Sequence, residues 1–89
     1  AVTFALAGGA TMRLTDLPGH RAQNHTVLGW AVADIRAAVA ELRTKGITFR
    51  IYDGFGQDAD GIWSPPGGEA QVAWFTDPDG NVLSLTQFA

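Results

Sequence analysis

At 89 residues, with 46% hydrophobic and 17% charged side chains, the chain has the balance of one folded domain rather than of a disordered segment, and a core at the margin of self-sufficiency. Six basic against nine acidic residues, a net charge of −3 and no cluster of Lys or Arg argue against nucleic acid as a partner. The absence of cysteine removes disulfides, thiolate metal sites and Cys nucleophiles, and no apolar run reaches the length of a membrane span, so the expected setting is cytoplasmic and away from membranes.

Residues 2–6 and 11–15 flank Gly8-Gly9, which predicts a hairpin with a glycine-permitted turn. The apolar start lacks the basic lead of a signal peptide and reads as the end of a strand. A polar loop follows over residues 16–24. The β-rich run 26–32 predicts a strand, after which Asp34 is placed to cap a helix over residues 35–45. Ile35, Ala38, Val39 and Leu42 make its apolar stripe, Glu41 and Lys45 an i,i+4 pair, and Gly46 its left-handed terminator. Residues 47–52 alternate, predicting a strand with Ile47 and Phe49 on one face. A loop of about seventeen residues comes next, a length that is usually functional or mobile. Ile62 and Trp63 within it are expected to fold over something apolar, the plainer alternative being that Trp63 plugs the end of the core. Finally, an apolar strand running to Thr76, the turn Asp77-Pro78-Asp79-Gly80 and the alternating run Val82-Leu83-Ser84-Leu85-Thr86 predict a closed hairpin.

Trp30-Ala31-Val32-Ala33-Asp34-Ile35, Ala37-Ala38-Val39-Ala40-Glu41-Leu42, Lys45-Gly46-Ile47 and Trp74-Phe75-Thr76-Asp77-Pro78-Asp79-Gly80-Asn81, in that order, resemble the vicinal oxygen chelate superfamily. That group includes glyoxalase I, extradiol dioxygenases and the fosfomycin- and bleomycin-resistance proteins. Tyr52-Asp53-Gly54 and Gly61-Ile62 resemble its glyoxalase-like branch. The resemblance implies an α+β fold with a βαβββ module of the glyoxalase/bleomycin-resistance type over residues 25–89. Its strands are expected at 26–32, 48–52, 71–75 and 82–87. Residues 1–24 are then the remnant of an incomplete first module within a single domain spanning 1–89, a βαβ unit of which has no counterpart here. An uncovered sheet edge and a thin core predict association, most simply as a homodimer.

Members of the superfamily hold a divalent metal on inward strand positions, with open sites for two substrate oxygens. Carried over by that resemblance, the ligand positions fall on Val27, on Ser84 and near Arg13, the fourth lying in a strand without counterpart. Val has no donor, Arg is a permanent cation and Ser alone is a poor ligand, so no metal cofactor is expected, against the family's general chemistry. His25, at the mouth of its strand, suits a solvent-edge or substrate contact better than a metal, and His20 lies further off in the loop. Asp58, Asp60 and Glu69 read as solvated loop acids, and no phosphate loop, nucleophile elbow or paired-carboxylate motif occurs.

The resemblance to the bleomycin-binding proteins therefore implies a metal-independent protein with a small organic ligand in its sheet cavity. Contacts would come from Arg13, Val27, Gly29 and Ser84, with Trp63 as a lid and Trp74 or Tyr52 as stacking surfaces, and Arg13 suits an anionic or carbonyl-bearing ligand. Trp30 and Trp74 are otherwise expected to pack between sheet and helix. A metal-dependent lyase or dioxygenase of the glyoxalase type is the second reading, and a non-catalytic assembly or regulatory module the third.

Overall fold

A computed structural model describes all 89 residues as an α+β protein with five strands in two sheets and one helix. Strands β1 (Val2–Ala5) and β2 (Thr11–Leu14) pair antiparallel around a 3-10 turn at Ala7–Gly9. Gly8 and Gly9 hold φ at +75° and +84° there, a conformation open to glycine without strain. Val2 faces Leu14 and Phe4 faces Met12, so alternation makes one side of this ribbon wholly apolar and leaves Thr3, Ala5, Thr11 and Arg13 on the other.

The main sheet comprises β3 (Thr26–Ala31), β4 (Ala70–Thr76) and β5 (Val82–Phe88) in the order β3-β5-β4, with β5 parallel to β3 and antiparallel to β4. Helix α1 (Ile35–Thr44) lies on one face of it. Both helix ends follow from local chemistry. Asp34 Oδ1 accepts from the Ala37 N–H at 3.1 Å, and Gln87 Oε1, reaching from β5, accepts from the Ile35 N–H at 2.8 Å, so two donors that a helix start leaves orphaned are satisfied. At the other end Gly46 turns to φ +91°, and the N–H groups of Gly46 and Ile47 reach back to the carbonyls of Arg43 and Leu42 at 3.1 Å each. Ile35 and Val39 carry the stripe into a core of Phe49, Ile62, Ala73, Phe75 and Leu85, with Ala38 and Leu42 packed at its margin. That core is thin, since only 10 of 89 residues are buried.

The strand expected over residues 47–52 is a correction. Only one bridge forms, Phe49 with Phe75, extended by the Arg50 N–H donating to the Trp74 carbonyl at 2.8 Å. The side chain of Gln57 ends the ladder there: its Oε1 accepts from the Tyr52 N–H at 2.7 Å, and its Nε2 donates to the carbonyls of Arg50 at 2.9 Å and Gly61 at 2.7 Å. The alternation was nonetheless a core signal, because Phe49 is buried and Ile47 packs beside it. Of the four strands expected after residue 25, three form, with this single bridge in place of the fourth.

Two turns share one design. In residues 77–81 Asp77 Oδ1 accepts from the N–H groups of Asp79 and Asn81, the Gly80 N–H donates to the Asp77 carbonyl, and the Asp77 N–H donates to that of Asn81. In residues 58–62 Asp58 Oδ1 accepts from Asp60 and Ile62, Gly61 donates to Asp58, and Asp58 donates to Ile62. Gly80 and Gly61 sit at φ of +87° and +86°. Each Asp-x-Asp-Gly run thus closes itself through its leading carboxylate.

Candidate functional site

Because Ala73, Phe75 and Leu85 point into the core beneath α1, alternation places Trp74 and Ser84 on the opposite face of the sheet. Register then sets Gly29, Ser84 and Trp74 in one row across β3, β5 and β4. The row is tight at its centre: a Cβ at position 29 would lie 2.5 Å from Ser84 Oγ, so a larger residue there would require the buried Ser84 side chain or the strands to shift.

Aromatic rings gather at the β4 end of this row. Trp74 has the rings of Phe55, Tyr52 and Trp63 at 5.6, 5.9 and 6.2 Å, and Phe55 lies 5.1 Å from Trp63. The Arg50 guanidinium stands 5.5 Å from the Tyr52 centroid. The expectation that Trp74 packs between sheet and helix is therefore corrected: its neighbour Phe75 takes that side, and Trp74 joins the cluster opposite. Trp30 does lie on the helix side, stacked on Phe75 at 6.5 Å, yet it stays 43% exposed. In the long loop Ile62 is the residue that plugs the core, at 2% exposure, whereas Trp63 pairs with Val72 and forms a wall of the aromatic cluster.

The loop that brings Phe55 and Trp63 into place is clasped to α1. Arg36 meets Asp58 at 2.7 Å and Asp60 at 3.4 Å, and Arg43 meets Asp60 at 2.9 Å. Asp58 and Asp60 remain partly exposed, as solvated loop acids should, and are in addition ion-paired to the helix. Partial burial opposes ionisation of Asp58. The hydrogen bonds from Arg36 and from the N–H groups of Ile62 and Asp60 outweigh it and hold the carboxyl below its ordinary range.

Arg13 and Val27 meet elsewhere, in a hollow of about 550 Å³ shared with Leu17, His20, Asp79 and Asn81. His20 Nε2 lies 2.8 Å from Asn81 Oδ1, and Asn81 Nδ2 donates to Asp77 Oδ2 at 2.8 Å, which ties the loop before β3 to the turn after β4. Asp77 is also held low: burial opposes ionisation, but donors from the Asn81 side chain and from the backbone of Asn81, Asp79 and Gly80 prevail. The seven residues expected at a ligand site therefore fall into two groups, Arg13 with Val27 in the hollow, and Gly29, Ser84, Trp74, Tyr52 and Trp63 on the sheet face.

No group of three or more His, Cys, Asp or Glu side chains converges on one point. His25 is exposed at the entrance to β3. At the positions where the resemblance would put metal ligands, Val27 offers no donor atom, Arg13 is a permanent cation and Ser84 is a single neutral hydroxyl, a set that does not fit a divalent cation. Gln57, the Arg36–Asp58–Asp60–Arg43 clasp and the His20–Asn81–Asp77 chain were not singled out from the sequence. The repeated Asp-x-Asp-Gly was the one visible sign of them. Comparison with protein-family models, curated proteins and solved structures finds no match to this chain. No helix is long and apolar enough to cross a membrane.

Proposed function

We propose that this chain is a glyoxalase/bleomycin-resistance-like binding protein that holds a small organic ligand, without a metal, against the sheet face opposite α1. The observation that carries the reading is the Gly29–Ser84–Trp74 row, in which a floor of small residues adjoins a wall of four aromatic rings. The resemblance implies a ligand in the sheet cavity, which agrees with a site on this face, and the cysteine-free sequence fits a cytoplasmic setting. A planar ligand bearing a carbonyl or carboxylate matches these groups: its ring would lie along Trp74, its oxygens would take the Ser84 hydroxyl, and Arg13 would supply charge where the ligand reaches the hollow. The lyase and dioxygenase readings would require metal ligands other than Val27, Arg13 and Ser84.

The test is tryptophan fluorescence and amide chemical-shift mapping with bleomycin and a panel of aromatic carboxylates. Saturable shifts centred on Gly29, Ser84 and Trp74, lost in Trp74→Ala but kept in the exposed-site control Leu6→Ala, are expected. Shifts confined to the hollow around His20 would refute the sheet face as the site.

A further inference from the structure

The place beside Trp74 is already filled, and by a phenyl ring of this chain. Phe55 lies 5.1 Å from Trp63, 5.6 Å from Trp74 and 6.2 Å from Tyr52, tilted 40° to the first and edge-on to the others at 78° and 68°. These are the separations and angles of favourable aromatic pairs. The three rings around it are fixed from elsewhere. Trp74 stands in β4, Trp63 exchanges backbone hydrogen bonds of 2.8 and 3.0 Å with Val72, and the Tyr52 N–H is held by Gln57. Phe55 comes from outside that framework, and it stays 44% exposed.

Little holds its backbone. The run Asp53-Gly54-Phe55-Gly56 makes one hydrogen bond, from the Phe55 N–H to the Tyr52 carbonyl at 3.2 Å. The chain is pinned on both sides of that run. Before it, the Arg50 N–H donates to the Trp74 carbonyl; after it, Gln57 spans to Arg50 and Gly61, Asp58 is clasped to α1, and Ile62 is buried. Gly54 and Gly56 flank the phenylalanine at φ of +76° and +80°. A Cβ at either would meet no atom within 4 Å, so these glycines serve the conformation of the backbone rather than close packing. A side chain carried between two pivots, which themselves lie between fixed anchors, is built to move.

We infer that Phe55 is a plug in the ligand site: its phenyl ring sits where a ligand's aromatic ring goes, and it swings out at Gly54 and Gly56 when that ring enters. The inference rests on the sheet-face reading above and narrows the ligand class to molecules that present one unfused six-membered aromatic ring. With the plug out, the wall that such a ring meets is Tyr52, Trp63 and Trp74. Exchanging one ring for another conserves those contacts, so a bare hydrocarbon ring gains nothing over Phe55. The exchange is decided instead by the ligand's polar groups, which phenylalanine lacks and the Ser84 hydroxyl can meet. The plug also lowers the apparent affinity by the fraction of molecules in which it stands open.

Phenylacetate, a phenyl ring bearing a carboxylate, is the probe, titrated into the unaltered protein and into Phe55→Ala while amide and indole N–H chemical shifts are followed. Binding centred on Trp63 and Trp74 is expected to be about tenfold or more tighter in Phe55→Ala, as for a plug open in about a tenth of molecules or fewer. In the unaltered protein, saturation with phenylacetate is expected to abolish the nuclear Overhauser contacts between the Phe55 ring and the Trp63 indole, a readout independent of how the variant folds. Equal affinities in the two proteins, or Phe55–Trp63 contacts that survive saturation, overturn the plug and leave the sheet face as the site. Failure of phenylacetate to bind a Phe55→Ala chain that keeps its helix signal in circular dichroism overturns the plug as well. The sheet-face reading falls with it only if bleomycin and the aromatic carboxylates also leave Gly29, Ser84 and Trp74 unmoved.

Discussion

Replacing Gly29 by alanine tests the register on which the candidate site depends. The new Cβ would stand 2.5 Å from Ser84 Oγ, 3.5 Å from the Ser84 carbonyl oxygen and 3.8 Å from Ser84 Cβ, so only the first contact is intolerable. Ser84 is 7% exposed and paired on both sides, with Gly29 and with Trp74, so its side chain or the strands must shift to admit the methyl group. Overpacking of this kind costs about 1–3 kcal/mol. A loss near ~2 kcal/mol corresponds to a fall in Tm of about 8–16 °C for a domain this small. In a Ser84→Ala background the clashing atom is gone and the remaining contacts are ordinary. There Gly29→Ala should be neutral or stabilising by up to ~1 kcal/mol, because alanine restricts the unfolded chain. Urea denaturation of the four chains closes the cycle, and a coupling of about 1 kcal/mol or more is expected. Equal costs in both backgrounds would show that Gly29 and Ser84 are not neighbours and would dismantle the row.

Gln57→Ala removes the acceptor of the Tyr52 N–H and the donor to the Arg50 and Gly61 carbonyls. A loss of about 2 kcal/mol and faster amide exchange at Tyr52 should follow, and an unchanged exchange rate would refute that role for the side chain. Asp58 and Asp77 have carboxyls held below the ordinary range, so their contribution is fully present above the unfolded value of about 3.9 and is lost as pH falls through the lower folded values. Urea midpoints should therefore drop on acidification below about pH 4, more gently in Asp77→Asn; parallel curves would contradict this. Arg36→Ala should speed exchange of the Asp60 and Ile62 amides, which Asp58 Oδ1 accepts, and high salt should do so in the unaltered chain. An effect of the substitution that persists undiminished at high salt would argue for packing rather than charge.

The features legible in the sequence were those fixed within a few residues. Asp34 and Gly46 bound the helix through bonds to near neighbours, the Ile35–Val39 stripe found the core, and Asp77-Pro78-Asp79-Gly80 closed its hairpin. Trp74 escaped because it adjoins Phe75: two large aromatics in succession leave alternation without a sign, and the side each takes is decided by what α1 and the loop put there. Residues 47–52 misled for a related reason. Their pattern reports burial, but whether a ladder forms depends on backbone partners, and Gln57 claims those. The closeness of Gly29 and Ser84 and the reach of Arg36 to Asp58 span the chain, and no local pattern encodes either. The second Asp-x-Asp-Gly was legible in principle, since it repeats the first residue for residue at its three fixed positions.

The register of the main sheet also orders the assembly of the fold in time. Thr76 meets Val82 across a single tight turn, whereas Gly29 finds Ser84 over 55 positions and only once the helix, the long loop and β4 have been threaded between them. Loop-closure entropy makes the first pairing early and the second late. Changes in the Asp77 turn should then slow folding, while changes in β3 should chiefly hasten unfolding. The strand that carries Gly29, at one end of the candidate row, is accordingly the one that detaches first, and its residence in the sheet limits how long the row persists.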